Sequence, residues 1–442
     1  MKTGSIPQHK YKSPIMKITK LLLSAIVAMS CCTLTAQDFD TFFNNKTLRL
    51  DYIFGADTKG CHVMLDKQAV LPEWSGRRHR LKELPLAGNG QITVRDEATG
   101  DTIYRHSFSS LFNEWLSTEE ASTTPKAFQN TYLVPLPKAP ALIDIALLDN
   151  RHDTIASMTH RYRPDDELIA VKGTSNVTPH RYIHRSSHPE KAIDVAILAE
   201  GYTTAEMDSF YHHAAVAVES ILKHEPFKSR ADDFNFVAVA SPSIDSGVSV
   251  PRLGDWKKTA FSSHFSTFYS DRYLTTGNLQ DVHDALAGIP YEHIIILANT
   301  PEYGGGGIYN SYTLTTARHR DFKPVVVHEF GHSFGGLADE YFYEDDIMDE
   351  SYPLDIEPWE PNITTLVDFP SKWQSIVPKG TPVPTDSKDA DKYPVGVYEG
   401  GGYVFKGVYR PADQCRMRNN TWPAFCPACQ RALNLLIDFY TK

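Results

Sequence analysis

The stretch VVVHEFGHSFGGLADEY, residues 325–341, contains an H-E-x-x-H motif that begins at His328. Residues four apart on an α-helix lie on one face, about one turn of ~5.4 Å from each other. His328 and His332 can therefore both direct an imidazole nitrogen at one metal ion. Zinc is the expected metal, because it accepts such nitrogens at about 2.0–2.1 Å and leaves a position for water. Glu329 can reach that water as a general base.

The residues around the motif predict that it is helical. Pro324 is tolerated in a first helical turn, and Gly335-Gly336 supplies a stop. Apolar residues on both sides of the histidines supply a face for burial. The competing interpretation is a buried helix with two packed histidines and an unrelated glutamate, and the context of the motif favours the metal site.

A third protein ligand is expected after the motif. Metzincin zinc proteases have a glycine three residues after the second histidine and a ligand three residues later. Gly335 fits the first position, but the second is Ala338, and the acidic pair Asp339-Glu340 follows it. The sequence therefore predicts Asp339 as the third ligand, displaced by one residue, with Glu340 as its competitor.

The glycine pair accounts for how Asp339 can reach the metal. On an unbroken helix, Asp339 would lie about 10.5 Å further along the axis than His332, too far for a carboxylate ligand. The chain must therefore leave the helix and turn back, which Gly335-Gly336 allows. An alternative plan takes a glutamate from a separate downstream helix, but several prolines make that region a poor helix. The glutamates available to it are Glu344, Glu350, Glu357 and Glu360.

The sequence HEFGHSFGGLADEY resembles the bacterial IgA-peptidase family of zinc metallopeptidases. Ala199-Glu-Gly-Tyr-Thr203, near the family's Gly-Tyr-Thr turn, and a Cys-x-Met…Phe-Cys-Pro-x-Cys segment at residues 415–429 extend the resemblance. It implies a metzincin-like catalytic domain in which Met417 lies in the turn under the zinc. By spacing alone, Met417 is more typical of ordinary core. The family name implies cleavage of immunoglobulin A, a substrate that these residues do not specify.

Length and composition describe a globular protein of several domains. The chain has 442 residues, of which 41% are hydrophobic and 22% charged. Its net charge of −10 argues against nucleic acid as a partner, since nucleic-acid binding requires a basic surface. The expected partner is a protein or peptide substrate.

The first 36 residues are typical of a secretory signal peptide. Two lysines precede a short apolar run at residues 21–29, and cleavage after Ala36 is favoured. Met16 is the expected start of translation, because the residues before it are polar. The alternative is lipoprotein cleavage before Cys31, which would supply a lipid anchor and the only predicted association with a membrane. Either route predicts an exported protein: periplasmic, on the cell surface or secreted.

Two further domains are predicted after the leader. Residues 37–170 contain several short alternating strands separated by turns, which favours a β-sandwich. No cluster of catalytic residue types occurs there, so this domain is interpreted as a spacer or binding module. Residues 171–442 alternate strands and helices up to the H-E-x-x-H helix. The glycines Gly305, Gly306 and Gly307 are candidates for an edge strand that a substrate backbone approaches closely, with a flexible loop as the alternative.

Four cysteines follow the leader: Cys61, Cys415, Cys426 and Cys429. An exported protein favours disulfides, and one disulfide among the three C-terminal cysteines is predicted. Cys426-Pro-Ala-Cys429 also admits two other interpretations, a redox pair or half of a zinc knuckle.

The sequence as a whole predicts an α+β protein, an N-terminal β-sandwich followed by a metzincin-like zinc-protease domain. The expected activity is secreted, zinc-dependent endopeptidase activity on extracellular proteins, immunoglobulin A among them. Two alternatives stay open. One is a cell-surface binding protein with a degenerate structural zinc site, against which an intact Glu329 weighs. The other is an amidase that acts on cell-wall peptide.

Overall fold

The computed structural model of this protein describes Met1, residues 39–344 and residues 352–442. The predicted signal peptide, the start at Met16 and the alternative lipid anchor at Cys31 lie outside the described residues. Helices in the described part of the chain all fall short of the length and apolar character that crossing a membrane requires.

In the described N-terminal part, two four-stranded sheets are formed, with strand orders β5-β1-β2-β8 and β4-β3-β6-β7. Two short helices accompany them, α1 (Phe39–Phe42) and α2 (Leu111–Leu116). The strands are β1 (Phe43–Asp57), β2 (Gly60–Leu71), β3 (Gly90–Asp96), β4 (Thr102–Phe108), β5 (Lys126–Pro137), β6 (Ala141–Leu148), β7 (Thr154–Tyr162) and β8 (Ala170–Val171).

The two sheets enclose one apolar core. Strand β6 shows why, since its residues are alternately buried and partly exposed along its whole length. Its buried residues join Tyr52 and Phe54 of β1 and Trp115 of α2 in a single cluster. Strand β8 pairs with β2, so the predicted domain boundary at residues 170/171 falls within a strand of the first sheet.

The central part of the chain forms a six-stranded mixed sheet among the described residues, with strand order β13-β14-β12-β10-β11-β9. The elements follow one another in the predicted alternation of strands and helices. They are β9 (His180–His184), β10 (Ile193–Glu200), α3 (Met207–Leu222), β11 (Phe234–Val239), α4 (Leu279–Ala285), β12 (His293–Ala298), β13 (Gly305–Ile308), β14 (Tyr312–Thr316) and α5 (Phe322–Ser333).

The sheet is buried on both faces because its inner strands are parallel and covered by helices and loops. Every residue of β10, β11 and β12 is buried, as continuous apolar runs in parallel strands predict. Helices α3 and α5 share one face and a common core. A capping box between Thr203 and Glu206 precedes α3, which fixes where the chain leaves the sheet.

The last part of the chain contains a hairpin and a final helix. The hairpin consists of β15 (Tyr398–Gly401) and β16 (Val404–Arg410), and α6 spans Pro427–Thr441. The hairpin has no recognisable signal in the sequence. Three consecutive glycines, Gly400, Gly401 and Gly402, fall at its turn and remove the alternation by which a strand is recognised.

Candidate metal centre

Helix α5 carries the H-E-x-x-H motif and ends where the glycine pair predicts. It begins at Phe322, two residues before Pro324, so the proline lies in the first turn, where a missing N–H costs no helical hydrogen bond. Gly336 has a left-handed backbone with φ of 59°. The N–H of Leu337 donates to Gly331 O at 3.2 Å, which closes the helix and turns the chain back towards the histidines.

The reversal brings Asp339 onto the two histidines. The Nε2 atoms of His328 and His332 are 3.0 Å apart. Asp339 Oδ1 lies 3.0 Å from the first of these nitrogens and 3.3 Å from the second. Two ligands bound to one tetrahedral zinc at about 2.0–2.1 Å lie roughly 3.3 Å from each other. The three atoms therefore have the spacing of ligands around a single ion.

The hydrogen bonds of the imidazoles fix which nitrogens face the centre with a lone pair. His328 Nδ1 lies 3.0 Å from Arg416 O, and His332 Nδ1 lies 2.5 Å from Leu337 O. A carbonyl oxygen only accepts, so both Nδ1 atoms carry the hydrogen. In the neutral form of each ring, Nε2 then presents a lone pair to the other histidine and to the Asp339 carboxylate. Such a donor set fits a metal cation, with the carbonyls orienting the ligands from behind.

Electrostatics at the centre agree with a requirement for positive charge. Burial disfavours the charged form of His332, but the Asp339 carboxylate outweighs burial and raises the pKa of His332 to about 9. Burial likewise disfavours the charged form of Asp339, yet the two histidines hold its pKa well below the ordinary range. A buried carboxylate thus draws positive charge onto the histidines, and a bound cation would supply that charge directly.

Tyr403, on the turn between β15 and β16, orients the carboxylate. Its hydroxyl donates to Asp339 Oδ2, which leaves Oδ1 directed at the histidines. A backbone hydrogen bond joins the same two segments, since Gly402 N donates to Asp339 O at 2.8 Å. Sequence reasoning missed Tyr403, because it follows Asp339 by more than sixty residues.

We expect Tyr403→Phe to weaken metal binding by about 10–100-fold, the usual effect of removing a partner of a ligating group. The matched control is Tyr343→Phe, because the Tyr343 ring stacks on Tyr403 with centroids 6.4 Å apart but is itself 45% exposed. Competition with a chromophoric chelator measures both affinities. Equal affinities in the two variants would contradict the orienting role of the Tyr403 hydroxyl.

Glu329 projects from α5 towards the edge strand β13. A methyl group added at Gly305 would come within 2.8 Å of Glu329 Oε1, and one at Gly307 within 2.3 Å of Glu329 O. Gly306 faces the other way, towards Tyr273. The glycines lie at the edge of the sheet, as predicted. Helix α5 approaches this strand closely, which leaves room only for glycine at Gly305 and Gly307. Gly305 also forms an isolated β-bridge with Tyr273.

Met417 lies beneath the motif. It is fully buried, and a methyl group on Gly331 would come within 2.8 Å of its sulfur. The glycine between the two histidines therefore makes room for Met417. The neighbouring backbone supports the centre as well, since Arg416 O holds His328 and Met417 O accepts from Glu340 N at 2.9 Å.

The N-terminal domain approaches the centre, although no catalytic cluster is visible in its sequence. Glu114 of α2 accepts a hydrogen bond from the Tyr273 hydroxyl. Burial raises the pKa of Glu114 to about 7, and the group also interacts electrostatically with His332 and Glu329. Asn310 Nδ2, after β13, donates to Ser107 O at 2.8 Å. The wall of the site is thus built partly from the first domain.

The alternative glutamate ligands have other surroundings. Glu344 is exposed, Glu357 accepts from Asp368 N at 2.8 Å, and Glu360 accepts from the Tyr352 hydroxyl at 3.0 Å. Glu350 lies outside the described residues. Of the acidic groups that the structure describes, Asp339 is the one grouped with both histidines.

The predicted C-terminal disulfide is wrong for this structure. Each cysteine in the described ranges, Cys61, Cys415, Cys426 and Cys429, is free. The sulfurs of Cys415 and Cys429 are 3.8 Å apart, well beyond a disulfide bond of about 2.05 Å. The three C-terminal thiols instead gather with Glu340 in one cluster, in which all the ligand atoms lie within 4.8 Å of one another.

Comparison with known proteins identifies the family. The family model described as IgA Peptidase M64 matches residues 182–394, and the one described as Peptidase M64 N-terminus matches residues 38–159. No match was found among curated proteins. The two segments together take in most of the chain, including α5 and Asp339, which defines the class as a metallopeptidase-type hydrolase with an N-terminal domain. The chain belongs to the IgA peptidase M64 family, as its H-E-x-x-H stretch predicts.

Proposed function

We propose that this protein is an exported, zinc-dependent endopeptidase with a metzincin-like catalytic domain. His328, His332 and Asp339 hold the metal, and Glu329 is the general base. The observation that carries this proposal is the donor set: two imidazole lone pairs and one carboxylate oxygen at 3.0–3.3 Å from one another.

Zinc bound by these residues would supply Lewis acidity to the scissile carbonyl and lower the pKa of a nearby water. Glu329 takes the proton from the attacking water and delivers it to the leaving amine. Its position on α5, next to the first histidine, keeps the carboxylate beside the centre without occupying a ligand position. The edge strand β13 is proposed to align the substrate backbone near Glu329 through the residues that follow Gly305, because Gly305 itself is paired with Tyr273.

The substrate class follows from the family and the site together. A peptidase acts on protein or peptide chains. The N-terminal domain forms part of the wall beside the metal centre, so a bound substrate would contact it. We include immunoglobulin A among the candidate substrates because it is the one in the family description. Two alternative functions are distinguished by the test below. One is a binding protein with a structural zinc site, and the other is a cell-wall peptide amidase.

The test is degradation of unfolded casein and of immunoglobulin A by the purified full chain, with and without a zinc chelator. We expect fragments that disappear with chelator and return when zinc is restored. Peptidoglycan digestion runs in parallel. Release of cell-wall peptides without casein cleavage would favour the amidase, and zinc binding with no hydrolysis in any assay would favour the binding protein.

A further inference from the structure

We propose that Glu340, Cys415, Cys426 and Cys429 form a second metal site, which binds zinc in a structural role. This inference goes beyond the proposed peptidase activity and does not depend on it. It gives a role to Glu340 and to the three C-terminal thiols, which are not ligands of the first centre.

The four side chains have the spacing of a tetrahedral site. Their ligand atoms all lie within 4.8 Å of one another, and all four residues are buried. Cys415 Sγ is 3.8 Å from Cys429 Sγ, and Cys429 Sγ is 3.0 Å from Glu340 Oε1. Thiolates bound to zinc at about 2.3 Å in tetrahedral geometry lie roughly 3.8 Å apart. The sulfurs of Cys415 and Cys429 are thus spaced for a shared ion rather than for a disulfide, and Cys426 is also free.

An unpartnered polar atom points to a missing ligand at this position. Glu340 is 0% exposed, and its Oε2 atom has no hydrogen-bond partner. Its other oxygen is engaged, since Asn362 Nδ2 donates to Oε1 at 3.0 Å. A carboxylate oxygen left unpaired away from water is costly, and a cation bound there would remove that cost.

The backbone at the start of α6 is arranged to support thiolates. Cys426 is the N-cap of this helix, and its sulfur accepts from Cys429 N at 3.5 Å. Cys426 N in turn donates to Cys415 Sγ at 3.2 Å. Backbone N–H groups and a helix N-terminus favour the ionised thiol, which is the form that binds zinc.

Four protein ligands leave no open position for water, which is the arrangement of a structural rather than a catalytic zinc. Three thiolates and a carboxylate carry more negative charge than one zinc ion neutralises. Arg410 offsets part of this excess, because it is buried and interacts electrostatically with Glu340.

The two centres are connected through adjacent residues. Glu340 follows Asp339 directly, and its N–H donates to Met417 O at 2.9 Å. Arg416, next to Cys415, supplies the carbonyl that orients His328. A metal bound by Glu340 and Cys415 therefore joins the two chain segments on which the ligands of the first centre depend. We expect loss of the second metal to weaken the first by about 10–100-fold, as loss of outer supporting groups does.

The test measures zinc per chain by elemental analysis. We expect two zinc ions in the wild-type protein and one in the double variant His328→Ala/His332→Ala, which retains the thiols. Cobalt substituted into that double variant should show thiolate-to-cobalt charge-transfer absorption in the near ultraviolet. Cys426→Ser/Cys429→Ser should remove one zinc, and Cys61→Ser, at a cysteine outside the cluster, should remove none.

Two results would overturn the inference. One is a disulfide among Cys415, Cys426 and Cys429 found by mass spectrometry in protein purified without reductant. The other is a double histidine variant with free thiols that binds neither zinc nor cobalt. The double histidine variant keeps the test decisive if the cysteine variants do not fold. Absence of proteolysis in the wild type would count against the peptidase proposal alone and leave the zinc count at the thiols unaffected.

Discussion

Replacement of Glu329 by glutamine is expected to lower kcat by about 10²–10⁴-fold while the catalytic metal is retained. Glutamine has almost the same shape, so it fits the narrow space between α5 and Gly305, where a methyl group would already come within 2.8 Å of Oε1. It cannot accept the proton of the attacking water. His328 and His332 keep their orienting carbonyls, and metal binding is therefore unaffected.

The measurement is kcat on a peptide substrate together with zinc per chain. Glu344→Gln is the control, since Glu344 is an exposed acid of the same region and a candidate ligand under the alternative glutamate plan. Its activity should equal that of the wild type. Near-normal turnover by the Glu329→Gln protein would show that the base is another group.

Asp339→Ala is expected to weaken binding of the catalytic metal by more than about 100-fold and to lower activity in parallel, since it removes a ligand rather than a supporting group. The Asp339 carboxylate is the only one of the three ligands that carries a negative charge when the imidazoles are neutral. Two histidines alone hold zinc weakly, and Tyr403 would lose the group to which it donates.

The control for this substitution is Asp355→Ala, at an exposed acid whose ion pair with Arg151 is a surface pair of little energetic weight. Isothermal titration of zinc into both metal-free proteins gives the affinities of the catalytic and thiol sites separately. An Asp339→Ala protein that binds both zinc ions as tightly as the wild type would place the third ligand elsewhere.

The parts of the site that local sequence specifies were open to prediction. The spacing of His328 and His332 encodes one helix face, and Gly335-Gly336 encodes the reversal that Asp339 requires. The strands of the central sheet are also recognisable, because β10 contains the apolar run 195–199 and β12 the apolar run 294–298. In each case the physical cause lies within a few residues of its effect.

The remaining parts depend on contacts between distant segments. Nothing near Tyr403 or Glu114 in the sequence marks them, because their roles come from pairing with Asp339 and Tyr273. The spacing of the cysteines admits a zinc site, but the oxidising environment of an exported protein favours the prediction of a disulfide. The contact of Glu340 with the thiol cluster, which favours a metal site, arises because the chain reverses after helix α5.

The link between Glu114 of α2 and Tyr273 has a consequence for how specificity can diversify. Tyr273 pairs with Gly305, so a short helix of the first domain is connected to the edge strand beside Glu329. Changes in α2 can therefore reshape the wall that a substrate meets without altering any metal ligand. Selection on substrate preference can act on this short helix of the first domain, while the H-E-x-x-H helix stays constant.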